Sequence, residues 1–242
     1  MSRRVADQVA ISVAYNRLNV KMIGSDPGIT AQLNGGTHMG LEDVAIMRSI
    51  PNILIFEPAD VVQYEMALAQ IMKYEGPIYI RQLRKVPTKI IFDPKTYQFD
   101  LLRADVIKRG TDLTLIAAGI EVEQAWHAAE ILQSMDISAE VISVHTIKPL
   151  DEETILRSVK KTGCAVVCEN HNVIGGLGSA VAELAGRQYP VPLEFIGVRN
   201  RFGEVGKMDY LIKKLAMDSE HIVKAAVNLV KRKQKNETRK NP

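Results

Sequence analysis

Cysteine and aromatic residues are scarce in this sequence. Only two of the 242 residues are cysteines, and aromatic residues make up 5%. Two cysteines are too few for the disulfide framework of a small secreted protein. Cys164 and Cys168 lie four residues apart in a predicted strand, so both thiols point to one face but sit too far apart for an easy disulfide. We predict two core thiols in a reduced protein. The absence of a His or Cys set at zinc-ligand spacing argues against metal binding by the pair.

Long apolar runs are also absent. No segment approaches the ~20 apolar residues that a membrane helix requires. The opening Met-Ser-Arg-Arg leads into an amphipathic helix pattern, whereas a signal peptide would continue as an unbroken apolar segment. We therefore predict a cytoplasmic protein that does not associate with a membrane.

Excess charge is confined to one end of the chain. The net charge is +3, and residues 231–242 hold six Lys or Arg against Glu237, which leaves the body slightly acidic. We predict that residues 231–242 form a solvated, frayed basic tail and that the protein has no nucleic-acid partner.

Strand and helix patterns alternate along both halves of the sequence. This order favours parallel strands with helices on the faces of each sheet. We predict an α/β fold with two doubly wound, mostly parallel sheets. The first domain covers residues 1–84, a linker with a possible short strand pair covers 85–103, and the second domain covers 104–230. The predicted strands are Val20–Gly24, Ile53–Phe56, Pro77–Arg81, Leu113–Ala117, Ala139–Val144, Ala165–Cys168 and Leu193–Gly197.

A glycine-rich loop with a single histidine is the strongest functional signal. Gly35 and Gly36 allow the backbone to pass close to a bound group, and Thr37-His38 presents an imidazole at the rim of the loop. We predict that this loop faces a ligand.

The motifs around this loop occur in an order typical of one enzyme family. They are Gly-Gly-Thr-His (35–38), Glu42-Asp43 to Arg48, Pro51-Asn52 and Glu-Pro-Ala-Asp (57–60). This order resembles the pyrimidine-binding domain of the thiamine-diphosphate transketolase family, whose members include deoxyxylulose-phosphate synthase and the β subunits of 2-oxo acid dehydrogenases.

The second half is similar to the C-terminal domain of the same family. The matching segments are Ala118-Gly119 with Glu121-Val122, Thr146–Asp151, Glu169-Asn170-His171, Gly175–Gly178 and Phe202-Gly203-Glu204. In the family this domain mainly supports dimerisation. We therefore interpret the Gly-Gly-Leu-Gly turn as close packing at a helix start and not as a phosphate site.

The resemblance implies roles for three positions around the loop. His38 would hydrogen-bond the sugar near the reacting carbon; the alternative is a structural histidine that caps the following helix. Asp26 stands where relatives commonly have His, and Asn34 stands where they have an Asp that contacts a substrate hydroxyl. A carboxylate in place of a donor imidazole inverts what the site can recognise. This change indicates an altered donor substrate, lost transketolase activity, or, for Asp26, a plain turn residue before Pro27.

Two arginines follow or end the third predicted strand. Arg81 and Arg84 match the region where relatives place an Arg on the substrate phosphate. A guanidinium binds phosphate bidentately, and strand ends face the crevice in doubly wound sheets. We favour Arg84, with Arg81 as the alternative; a salt bridge on the linker is the competing role for either.

The resemblance also implies a cofactor and a partner. Thiamine diphosphate would be required, but the family's cofactor-activating Glu and the flanking aromatics lie upstream of Met1, so no cofactor-binding residue is assigned. No Gly-Asp-Gly triplet occurs in the sequence, and no metal ligand is assigned either. In the family this motif holds the diphosphate and its metal on another domain. We expect Mg²⁺ or Ca²⁺ to be held mainly by an N-terminal, diphosphate-binding subunit, within a homodimer or heterotetramer.

These features together predict the C-terminal subunit of a split transketolase. It would transfer a two-carbon ketol unit between sugar phosphates, as in pentose phosphate metabolism, and would be inactive alone. Two alternatives remain open. One is a β-type subunit of a 2-oxo acid or acetoin dehydrogenase; the other is a non-catalytic assembly subunit or truncated remnant.

Overall fold

Strands and helices alternate throughout residues 2–84 and 89–240, which the computed structural model describes. The strands are β1 (Lys21–Ser25), β2 (Leu54–Phe56), β3 (Ile78–Gln82), β4 (Asp105–Lys108), β5 (Leu113–Ala117), β6 (Ala139–Ser143), β7 (Thr146–Lys148), β8 (Ala165–Asn172) and β9 (Leu193–Val198). The helices are α1 (Ser2–Gln8), α2 (Asp43–Ser49), α3 (Val61–Lys73), α4 (Glu121–Gln133), α5 (Glu152–Thr162), α6 (Leu177–Gln188), α7 (Met208–Lys214) and α8 (Ser219–Lys240). A π-helical turn at Val9–Ala14 extends α1, and a 3₁₀ segment at Gly28–Asn34 follows β1.

The first sheet combines strands from both halves of the chain. Its order is β1-β3-β2-β7, with β1, β3 and β2 parallel. The antiparallel edge strand β7 comes from the second half and pairs Phe56 with Thr146. The second half therefore covers an edge that the first domain alone would leave exposed, and β1 forms the other edge.

The second sheet lies entirely in the second half. Its order is β4-β6-β5-β8-β9, with parallel pairing throughout except at β4. Every residue of β5 and β6 is buried, as expected for strands covered on both faces. Cys164 and Cys168 are both buried in this core, in agreement with the predicted core role. The predicted fold class, two mostly parallel α/β sheets, is confirmed.

The sequence analysis did not predict two short strands, β4 and β7. All four residues of β4 are half-buried and follow no clear alternation, and β7 has only three residues. The strand pair considered for the linker does not form in residues 89–103, and residues 85–88 lie outside the described part of the chain.

The prediction of a frayed basic tail is wrong for residues 231–240, the part of the tail that the structure describes. Helix α8 continues through residues 231–240 and does not fray at Lys231. Lys233 Nζ donates to the carbonyl oxygens of Thr162 at 2.7 Å and Asp112 at 3.3 Å, so the start of the basic segment packs against the second domain. Within the described residues, no helix is long and apolar enough to cross a membrane.

Candidate functional site

A cavity of about 230 Å³ opens at the carboxyl ends of β1 and β3. Four of the five predicted site residues line it: Asp26, Asn34, His38 and Arg84. Ligands bind outside the carboxyl ends of strands in open α/β sheets, because loops from neighbouring strands converge there. The structure thus brings together residues that are up to 58 positions apart in the chain.

Asp26 and Arg84 form a tight pair at this cavity. Asp26 is 5% exposed and has a φ of 52°, an uncommon backbone conformation for a residue other than glycine. Its Oδ1 accepts a hydrogen bond from the backbone N–H of Arg84 at 3.1 Å. Its Oδ2 accepts hydrogen bonds from the Nε and Nη2 atoms of the same arginine at 3.0 and 2.8 Å. The side chain of Arg84 remains 57% exposed, so the arginine is anchored and still accessible.

The loop that carries His38 is held in place by the second domain. Asn170 on β8 accepts the N–H of Ile29 at 2.9 Å and donates to the carbonyl of Pro27 at 2.9 Å. Gly28 has a φ of 58°, and a Cβ there would come within 2.1 Å of the Asn170 Oδ1, so glycine is required. Asn170 therefore fixes the start of the ligand-facing loop.

His38 is exposed at the rim of the cavity. Its Nδ1 lies 3.0 Å from the hydroxyl of Thr37, and its backbone N–H donates to Gly35 at 3.0 Å. Helix α2 begins at Asp43, and its N-cap residue Glu42 makes no side-chain cap bond. The imidazole thus pairs with its own neighbour and not with the start of α2, which favours the ligand-facing role over the helix cap.

Arg81, the alternative phosphate ligand, is sealed beneath the cavity. It is 1% exposed. Its Nε and Nη2 donate hydrogen bonds to Asp43 at 2.8 and 3.1 Å, and its Nη1 lies 2.6 Å from a carboxylate oxygen of Glu57. Nη2 also donates to the carbonyl of Asn170 at 3.0 Å. A guanidinium engaged on all three nitrogens in the protein interior is not available to a substrate, so the structure leaves Arg84 as the candidate.

Asp43 contacts both the buried Arg81 and a residue that lines the cavity. Tyr79, which lines the cavity, donates its hydroxyl to Asp43 Oδ2 at 2.8 Å. Burial opposes the charge on Asp43, but Arg81, His171 and the hydrogen bonds outweigh it and lower the pKa of Asp43. Burial and the neighbouring Asp43 raise the pKa of Tyr79 far above its usual value, so its hydroxyl stays protonated.

A second group of buried carboxyl groups lies further from the cavity. Burial raises the pKa of Glu57, and it raises that of Glu169 to about 7 although Glu169 accepts the N–H groups of Leu177 and Gly178. Glu121 is fully buried, and neither of its oxygens has a hydrogen-bond partner among the residues that the structure describes. Burial, followed by the charges of Glu57, Asp218 and Glu169, raises the pKa of Glu121 well above its usual value.

Sequence analysis missed the supporting residues Asp43, Tyr79 and Asn170. Asp43 and Asn170 belong to the matched motifs but were not assigned a role, and Tyr79 lies in an apolar strand that reads as core. Their importance depends on contacts between the two halves, which local patterns do not contain.

The described residues do not by themselves fit a thiamine ring. Tyr79 is the one aromatic residue on the described cavity wall, and its hydroxyl is committed to Asp43. Both carboxylates on that wall, Asp26 and Asp43, are paired with arginines. No group of three or more His, Cys, Asp or Glu suited to a metal ion occurs in residues 2–84 and 89–240. The described cavity wall therefore offers no free carboxylate and no free aromatic ring to the cofactor.

The fold and this site define a transketolase-type protein, and comparisons with known proteins agree. The family model of the transketolase pyrimidine binding domain matches residues 1–87, and that of the transketolase C-terminal domain matches residues 102–222. The chain belongs to the transketolase family.

Several similar proteins are named as subunits of split transketolases or as transketolase subunits. The chain is 53% identical over 232 residues to the 6-deoxy-6-sulfo-D-fructose transketolase subunit SqwH of Clostridium sp. (strain MSTE9), covering 96% of this chain and 71% of that protein. It is 32% identical to an apulose-4-phosphate transketolase subunit of Phocaeicola vulgatus, covering 95% and 73%. A solved structure titled "Split gene transketolase, inactive beta4 tetramer" aligns with a TM-score of 0.86 and 35% identity over 94% of this chain and 72% of that one.

The predicted split transketolase subunit is thus confirmed, and nothing among these relatives favours the dehydrogenase alternative. Family membership implies dependence on thiamine diphosphate, and the split-gene relatives imply a partner subunit within an oligomer.

Proposed function

We propose that this chain, assembled with a diphosphate-binding subunit, transfers a two-carbon ketol unit between sugars that carry an anionic group at the far end. One observation carries the proposal: Asp26, Asn34, His38 and Arg84 line the same cavity at the strand ends. A histidine, an amide and a guanidinium around one space suit a polyhydroxylated substrate with one charged terminus.

Each side chain has a distinct task in this proposal. His38, at the exposed rim, hydrogen-bonds the ketose near the reacting carbon. Asn34 is also exposed and contacts a substrate hydroxyl. Arg84, anchored by Asp26, binds the terminal oxyanion. Phosphate is the group that the sequence resemblance implies, and sulfonate is the group in the name of the Clostridium relative. Both are tetrahedral oxyanions that a guanidinium fork can bind.

The cofactor and its metal would be held elsewhere. Thiamine diphosphate supplies the carbanion chemistry when bound. Because the cavity wall offers no free carboxylate and no stacking ring, we propose that the Mg²⁺ or Ca²⁺ and the diphosphate are held mainly by the partner. This chain binds and orients the sugar.

The chain alone would be inactive. The similar split-gene structure is titled as an inactive β4 tetramer, which supports a catalytic assembly that needs both kinds of subunit. We propose a heterotetramer for the active form; a homodimer of this chain would be a resting form. The cytoplasmic location, the role in pentose phosphate metabolism and the absence of a nucleic-acid partner stay predictions.

Reconstitution tests the proposal. The chain in its natural full-length form and its diphosphate-binding partner are purified separately, and thiamine-dependent ketol transfer is measured for each of the two proteins and for the mixture. We expect turnover only from the mixture. His38→Ala should reduce kcat about 10²-fold or more, whereas His38→Asn, which keeps a hydrogen-bond donor, should lose less.

The opposite results are equally clear. Turnover by this chain alone would contradict the requirement for a partner. An active mixture in which His38→Ala has full kcat and KM would remove His38 from the substrate site. A mixture without transfer on any ketose would favour the non-catalytic assembly role.

A further inference from the structure

We propose that Asp26 is a positioning and specificity residue, which holds Arg84 for the substrate's terminal group and makes the site select a singly charged end, such as sulfonate, over dianionic phosphate. This inference rests on the proposed function and narrows its substrate class.

The geometry shows how Asp26 positions Arg84. Three hydrogen bonds of 2.8–3.1 Å join the two residues, one from the backbone and two from the side chain. An exposed arginine ordinarily samples many rotamers, and ordering it costs up to about 2 kcal/mol of side-chain entropy. Here that cost is met on folding, because the buried Asp26 fixes the guanidinium before any substrate arrives.

Part of the guanidinium stays available. Arginine has five N–H donors, and Asp26 takes one from Nε and one from Nη2. Three donors therefore remain on a side chain that is 57% exposed and lines the cavity. Three donors suffice for the oxygen atoms of one tetrahedral anion.

The balance of charge between Arg84 and Asp26 then determines which terminal group the site prefers. Arg84 is the one arginine or lysine on the described cavity wall, and the buried Asp26 carboxylate offsets its charge. A sulfonate carries a single negative charge, whereas a phosphate monoester carries about −1.5 to −2 at pH 7. The additional phosphate charge finds no second cation on this wall and lies close to the Asp26 carboxylate. A nearby like charge is a device against the wrong ligand.

Three further titratable side chains line the described cavity wall, and Arg3 and Arg4 line the neighbouring cavity. Asp43 is paired with Arg81, and the hydroxyl of Tyr79 is held protonated by Asp43. His38 also lines the cavity and faces either substrate. The ratio of two KM values, measured on donors that differ only in the terminal group, cancels effects on the part of the sugar that the two donors share.

Steady-state kinetics on the reconstituted enzyme test the proposal. The donors are a ketose with a terminal phosphate and the matched ketose with a terminal sulfonate. We expect the wild type at pH 7.5 to favour the sulfonate about tenfold, through KM more than kcat; tenfold corresponds to about 1.4 kcal/mol. Asp26→Asn removes the charge and keeps an acceptor for the Arg84 N–H, so it should lower the phosphate-to-sulfonate KM ratio about tenfold. Glu65→Gln makes the same charge change at an exposed position on α3 and should leave the ratio unchanged.

A pH series provides a test that needs no variant. The second pKa of a phosphate monoester is about 6. The wild-type KM ratio of phosphate to sulfonate should therefore fall between pH 7.5 and pH 5.5, as phosphate becomes a monoanion. In Asp26→Asn this fall should be much smaller.

Contrary outcomes separate the inference from the proposed function. A wild type that prefers the phosphate dianion, or an Asp26→Asn enzyme with an unchanged KM ratio, would overturn the role of Asp26 and leave ketol transfer intact. Absence of turnover with both donors would overturn the proposed function and this inference with it.

Discussion

At the scale of single residues, the buried Arg81 holds together the structure beneath the cavity. Arg81 contacts Asp43 and Glu57 in the interior, with nitrogen–oxygen distances of 2.8 and 2.6 Å. Breaking such a buried pair leaves an uncompensated charge and typically costs 3–5 kcal/mol. Three residues further on, Arg84 leaves the interior and reaches the cavity. Of the two arginines near the end of β3, Arg81 is thus part of the core, and Arg84 is the proposed ligand contact.

Glu121 gives a residue-scale prediction for pH dependence. Its folded-state pKa lies above the usual 4.5, so the folded protein retains a proton that the unfolded chain releases. The contribution of Glu121 to the free energy of unfolding is therefore complete below pH 4.5 and declines as the pH rises towards the folded-state pKa. Glu121→Gln removes this titration. We expect its stability relative to wild type to increase from pH 5 to pH 8, by at most about 1.4 kcal/mol per pH unit.

Urea unfolding at several pH values measures this difference. The raised pKa values of Glu57 and Glu169 act in the same direction, but both residues are present in both proteins and cancel in the comparison. Glu65→Gln, on the surface, should follow the wild-type curve. Parallel curves for wild type and Glu121→Gln would show that Glu121 does not bind its proton more tightly in the folded state.

Sequence patterns predicted some of these residues and not others. His38, Asp26, Asn34 and Arg84 could be found because they lie within or beside loops that follow strands, where local motifs carry the signal. Arg81 and Arg84 could not be separated, because the spacing in Ile-Tyr-Ile-Arg-Gln-Leu-Arg does not reveal which one meets Asp43. That contact spans 38 residues and depends on how α2 packs on the sheet.

At the scale of elements, Asp60 connects a helix to the segment behind it. Its Oδ1 accepts the N–H of Gln63 at 2.8 Å and so caps the start of α3. Its Oδ2 accepts the N–H groups of Ile91 at 2.6 Å and Phe92 at 3.0 Å. A single buried carboxylate thus holds the helix start and the chain that leads into the second half.

Asp60→Ala should lower stability by more than an ordinary cap removal. Loss of an N-cap costs about 0.5–2 kcal/mol. Here two further backbone donors lose their partner, so we expect a loss of about 2–4 kcal/mol. Asp60→Asn keeps one acceptor oxygen and should lose less. Asp151, which caps α5 and also accepts the N–H of Ala104, provides a comparison at a second helix. Denaturant midpoints measure Asp60→Ala, Asp60→Asn and Asp151→Ala, and a loss below about 1 kcal/mol for Asp60→Ala would contradict the bridging role.

Element boundaries were predictable where caps and apolar runs coincide. Asp60 and Asp151 both cap helix starts, because a carboxylate at this position accepts an N–H of the first turn. Strand β7 was not predictable, because three residues carry no measurable period and its partner β2 lies in the other half of the chain. The helical state of residues 231–240 was missed because their charge suggested solvation, although Lys233 is fixed by two carbonyl groups.

At the scale of the whole molecule, the two family domains are joined into one folded unit. Strand β7 belongs to the matched C-terminal domain and completes the sheet of the pyrimidine-binding domain. Asn170 and Arg81 add hydrogen bonds across the same boundary. We expect the two domains to unfold together.

Two spectroscopic probes test this cooperativity. Trp126, the single tryptophan, lies on α4 and reports on the second domain. Far-UV circular dichroism reports on both domains. The urea transitions followed by Trp126 fluorescence and by circular dichroism should coincide. Two resolved steps in the circular dichroism curve, with only one matched by fluorescence, would show independent domains.

Strand β7, which comes from the second domain and pairs with β2 of the first, also limits which segments of this protein can be exchanged with those of a relative. Exchange of residues 102–242 for the same portion of a relative would replace β7, and with it the pairing of Thr146 and Lys148 with Phe56 and Ile55. A chimera joined at the linker would inherit an unmatched sheet edge at β2. Functional hybrids in this family should therefore exchange β2 and β7 as a pair, although a long stretch of sequence separates them.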